Sequence, residues 1–111
     1  MAALRTSTDK ATLIAALKSA PPSIKAVLVH ALAEAAIGSP QAEAGIAALL
    51  EALDDPEPTV RTETAVALGR FGRAGKAAGA ALRKLAAEDP DPATAAYAAV
   101  ASVLVDPPPD R

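Results

Sequence analysis

Few side chains in this chain are equipped for covalent chemistry. Among its 111 residues there is one histidine, His30, and no cysteine, which removes thiolate nucleophiles, disulfides and Cys-based zinc sites together. A metal site normally takes three or four protein ligands, more than His30 can anchor alone. The serines stand at turns or on helix surfaces, without a neighbouring base or an elbow motif to activate them. No catalytic, metal or cofactor-binding residue is therefore expected: the chain reads as a non-enzyme without a cofactor. Gly72-Arg73-Ala74-Gly75-Lys76 is loosely like a phosphate-binding loop. It lacks the full spacing and a preceding strand, so it is expected to be an inter-helix turn. His30 and Glu34 lie one helical turn apart and are expected on an exposed polar face that can contact a partner.

Partners are bounded by charge. With 11 basic and 13 acidic residues the net charge is −2, which leaves no electrostatic grip for a phosphate backbone and argues against nucleic acid. No run reaches the roughly 18 to 20 uninterrupted apolar residues that a membrane span requires, so no membrane insertion is expected. The stretch from Met1 to Asp9 has no apolar core of a signal peptide. Together with the missing cysteines, this points to a cytoplasmic protein.

The elements that would carry a functional surface are helices. The chain is 51% hydrophobic but only 2% aromatic, and Ala, the best helix former, supplies roughly a quarter of it. Pro and Gly interrupt it at Pro21-Pro22, Gly38-Ser39-Pro40, Pro56-Glu57-Pro58, Gly72 to Gly75, Pro90-Asp91-Pro92 and Pro107-Pro108-Pro109. These marks predict six helices at about 9–19, 23–37, 41–53, 58–71, 75–88 and 92–105. The short linkers make sequential helices antiparallel. Helical spacing predicts buried stripes of Leu13, Ile14 and Leu17, then Ile24, Leu28, Ala31 and Ala35, then Ile46, Leu49, Leu50 and Leu53. Asp54, Asp55, Asp89 and Asp91 suit tight turns before a Pro at the first helical position.

The pattern recurs. Ile24-Lys25 and Val60-Arg61 stand 36 residues apart, and Asp55-Pro56-Glu57-Pro58 and Asp89-Pro90-Asp91-Pro92 stand 34 apart. Periods of this length mark a solenoid, in which each helix pair buries its apolar face against the next. The segment Leu49 to Arg61, with its D-P-x-P-x-V-R turn, continues into Ala65-Val66-Ala67-Leu68-Gly69-Arg70-Phe71-Gly72. It closely resembles the bacterial HEAT-repeat consensus, the type also found in phycobiliprotein lyases. The third repeat keeps the Asp-Pro turn but carries Thr94-Ala95 in place of Val-Arg. The first keeps Ile24-Lys25 but turns through Ala20-Pro21-Pro22.

The resemblance implies an all-α fold, a short α-solenoid of three antiparallel helix pairs. The repeats would lie at about 9–38, 41–72 and 75–105 in one domain, 1–106, followed by a Pro-rich tail, 107–111. It also implies that Arg61 bonds to an Asp in the turn of an adjacent repeat, with Asp55, Asp89 and Asp91 as the acceptors available. Of the activities in the family, a DNA glycosylase would need a basic, aromatic groove, which the composition lacks.

What the resemblance implies for function is protein binding on the surface of the second helices. Shifting by 34 to 36 residues sets Ala26, His30 and Glu34 beside Thr62, Val66 and Arg70, then beside Ala96, Val100 and Leu104. The last helix has no charge from Ala93 through Val105, although a terminal solenoid helix usually has a polar outer face. Its apolar end is expected to be covered by a partner protein, by a second copy or by the tail. The expected partner-binding residues are His30, Glu34, Val66, Arg70, Arg73, Val100 and Leu104. The expected function is a protein–protein interaction module: an adaptor, complex subunit or regulator. The alternative is an accessory factor of an enzyme, a lyase-like chaperone presenting a substrate or cofactor-bearing protein.

Overall fold

A computed structural model of the protein describes residues 12–40 and 42–109, and all regular structure among them is helical. Residues 12–19 form α1. The expected start of that helix at residue 9 lies outside the described residues. There follow α2 (Pro22–Ala36), α3 (Ala42–Ala52), α4 (Pro58–Gly69), a 3₁₀ helix (Gly72–Ala78), α5 (Gly79–Glu88) and α6 (Pro92–Val105). The order is a short solenoid of helix pairs. The second helix of every pair, α2, α4 and α6, opens on a proline, where a missing N–H costs nothing and φ is already helical.

These second helices lie side by side in one layer, α4 packing on α2 and on α6, while α3 and α5 form a layer behind them. The core runs between the layers through Leu32, Leu49, Leu68, Leu82 and Val105, all fully buried. No described helix is long and apolar enough to cross a membrane.

Two expectations need correction. The stripe of α2 is rotated: Val29, Leu32, Ala33 and Ala36 are buried, while Ile24 is exposed and Leu28, Ala31 and Ala35 are half-buried. This helix is apolar at most positions, so periodicity leaves its inward face undetermined, and contact with both α3 and α4 settles it. The fifth helix starts at Gly79 instead of about residue 75, because Gly72–Ala78 winds as 3₁₀ with Gly75 outside helical geometry. Two glycines in this stretch, Gly72 and Gly75, weaken the α-helix. A side chain at Gly75 would also stand 3.1 Å from Phe71 Cβ and Val105 Cγ1.

Candidate functional site

Two sets of functional side chains emerge, one holding the repeats together and one facing solvent. The first is built on the turns. Arg61, in the first turn of α4, binds Asp89 side-on through the Nε–Nη2 edge of its guanidinium, Nε–Oδ2 at 2.7 Å and Nη2–Oδ1 at 3.0 Å. Its Nη1 donates to the carbonyls of Asp55 and Pro56. One repeat earlier, Lys25 Nζ lies 2.7 Å from Asp55 Oδ2. Each aspartate also accepts a backbone N–H from two residues onward, Glu57 for Asp55 and Asp91 for Asp89. Asp91 takes no part in the pair: it caps α6 by accepting from the Thr94 amide and hydroxyl.

Of the three acceptors open to Arg61, Asp89 therefore takes the ion pair, Asp55 offers only its carbonyl, and Asp91 serves the helix start. Lys25 went unassigned by the sequence reading, although its register with Arg61 carried the signal. The corresponding position in the third repeat is Ala95, so this run of cross-repeat pairs stops at α6.

Electrostatics follow the geometry. The Arg61 hydrogen bond holds the Asp89 carboxyl below its ordinary 3.8, against burial, with the Asp91 amide and the Arg61 charge assisting. For Asp55, burial is the largest single influence and raises the value, but bonds from Lys25 and the Glu57 amide and the charges of Lys25 and Arg61 together lower it. The hydrogen bond to Asp89 in turn holds the Arg61 guanidinium above its ordinary value, against burial.

The solvent-facing set lies on the second-helix layer, and its two seams differ in chemistry. Between α2 and α4 the seam is polar: His30 Nε2 lies 2.6 Å from Glu63 Oε1, and Glu34 pairs with Arg70. Between α4 and α6 the seam begins with the Thr62–Thr94 hydroxyl contact at 2.7 Å. It then opens into an apolar groove of about 260 Å³ lined by Val66, Gly69, Arg70, Tyr97, Val100, Ala101 and Leu104. Gly69 creates it. A Cβ there would stand 3.3 Å from Ala101 Cβ and from Leu104 Cδ1, so its absence lets α6 approach closely. Tyr97, Val100 and Leu104 are each more than half exposed.

The structure thus brings Val66, Arg70, Val100 and Leu104 together, with His30 and Glu34 across α4 on the neighbouring seam. Arg73 lies apart, beside Lys76, Val105, Asp106 and Pro107 to Pro109. Tyr97 and Gly69 were missing from the predicted set. Tyr97 sits one helical turn before Val100 and Ala101, and that spacing could have found it; the role of Gly69 depends on the approach of another helix. The tail as far as Pro109 packs by Arg73, Lys76, Arg83, Ser102 and Val103, leaving Tyr97, Val100 and Leu104 uncovered. No cluster of three metal-ligating side chains occurs among the described residues.

Against known proteins, the family model for HEAT repeats matches residues 11–102. No curated protein and no solved structure matches the chain.

Proposed function

The chain belongs to the HEAT-repeat family, and on that premise we propose that it is a protein-interaction module, an adaptor, complex subunit or regulator with no chemistry of its own. The observation that carries this reading is the α4–α6 groove. Tyr97, Val100 and Leu104 are exposed on the second-helix face, with Val66 beside them. Aromatic and aliphatic anchors at the centre of a patch supply most of the energy of an interface, and polar groups around them set orientation. Arg70, Glu34 and His30 form that surround. Their pairs are partly exposed, side-chain accessibility being 39% and 76% for Arg70 and Glu34, so a partner can exchange them at little cost.

A photo-crosslinking amino acid placed at Tyr97 or Val100, and at Ala87 on α5 as a control, tests this in the native cell. Discrete protein adducts from positions 97 and 100 but not from 87 are expected. Equal labelling at all three, or none at any, overturns the reading.

A further inference from the structure

We infer that the occupant of the α4–α6 groove is an amphipathic helix with acidic residues in its first turn, lying antiparallel to α4 and α6. This rests on the interaction reading above and specifies the partner's chemistry.

The groove is walled by helices whose backbone groups are bonded internally except for the carbonyls of their last turns, so its floor offers no free N–H and no ladder of alternating donors and acceptors for an extended chain. Only Arg70 and the Tyr97 hydroxyl are polar among its lining side chains. An extended peptide laid there would bury unpaired backbone groups, whereas a helix satisfies its own. From Tyr97 to Leu104 the floor spans two turns, about 10 Å, enough for apolar side chains at i, i+3 or i+4, and i+7.

Charge sets the direction. The contact of Thr62 with Thr94 and that of Gly69 with Ala101 and Leu104 make α4 and α6 parallel, so their C-terminal ends share one end of the groove. Arg70 lines that end, and Arg73 and Lys76 flank the end of α6 together with Asp106, whose carboxylate is taken by Arg83. Among the described residues neither Arg73 nor Lys76 has an ion pair, and Arg70 is held only by exposed Glu34. The opposite end carries Glu63 and Asp91, and its arginine, Arg61, is already held by Asp89 with only 13% of its side chain accessible. Acidic side chains favour a helix N-terminus, whose dipole is positive and would lie over the negative C-terminal ends of α4 and α6. A second copy is a poor occupant: α6 has no charge from Ala93 to Val105 and would leave the basic end unanswered.

Three synthetic helices with the same leucine stripe test this on the full chain: glutamates in the first turn, glutamates in the last turn, and lysines in the first turn. Titration is followed by backbone NMR. The first peptide is expected to bind about tenfold more tightly than the others, and less so as salt rises. Shifts should centre on Val66, Tyr97, Val100 and Leu104. In the double variant R73E/K76E, which breaks no ion pair and keeps the helical circular dichroism, the preference should reverse toward the lysine peptide. Equal affinity for all three, no binding by any, or a concentration-dependent dimer perturbing these same residues would overturn the inference. Crosslinks from position 97 together with charge-blind peptides would sink only this inference; absence of crosslinks as well would sink the interaction reading.

Discussion

Arg61 is the side chain on which two repeats depend most directly. It joins α4 to the turn before α6 by a two-pronged ion pair, with 13% of its side chain and 3% of Asp89's left accessible. Removing one member of such a pair strands the other charge out of water. Arg61→Ala is therefore expected to destabilise the chain by about 2 to 3 kcal/mol, and Lys25→Ala by about 1 kcal/mol, since Lys25 makes one contact and is more accessible. Chemical denaturation of the two variants checks both the values and their order. Acid acts on the same pairs. Asp55 and Asp89 titrate below 3.8 in the folded chain, so on acidification the unfolded chain takes up protons first. Their contribution is present in full above that ordinary value and is lost as pH falls through the lower folded values. A melting temperature that is flat above pH about 5 and falls steeply below about 4 is expected, with a shallower fall in Asp89→Asn.

Among the helices, the small residues decide how closely neighbours meet. Gly45 faces α2, where a Cβ would stand 2.6 Å from Ala36 Cβ. Gly45→Ala is favourable for an isolated helix but here forces α3 off α2, and overpacking of this kind typically costs about 1 to 3 kcal/mol. A lower melting temperature in spite of the better helix former is the expected outcome. The start of α6 depends on Asp91, whose carboxylate bonds the Thr94 amide at 2.9 Å. Asp91→Ala is expected to cost about 1 kcal/mol, with faster amide exchange confined to the first turn of α6.

At the scale of the molecule, α4 is the middle member of the second-helix layer, packed on α2, α3 and α6. It buries Val60, Thr64, Ala65, Ala67, Leu68 and Gly69. In a stack, each repeat gains stability from its neighbours, so hydrogen exchange should be slowest in α4 and faster toward both ends. The groove behaves oppositely. Val100 is 60% exposed, so Val100→Glu should shift stability by no more than about 0.5 kcal/mol while abolishing the adducts expected from position 97. A large loss of stability in that variant would move Val100 from the surface to the core and remove the groove as a docking site.

The number and order of the helices were legible in the chain. Prolines at helix starts, Asp-Pro turns and the recurrence of Ile24-Lys25 as Val60-Arg61 are local and periodic signals that need no neighbour to be read. The grouping of Val66, Arg70, Val100 and Leu104 on one surface was legible too, because a repeat places equivalent residues in a row. What only the tertiary structure decided concerns choices among chemically equal alternatives. The inward face of α2, apolar nearly all round, was set by the helices packed on it. The partner of Arg61 was set by which aspartate lay within reach, and the groove itself by Gly69 admitting α6 so closely that Tyr97, Val100 and Leu104 are left standing at its side.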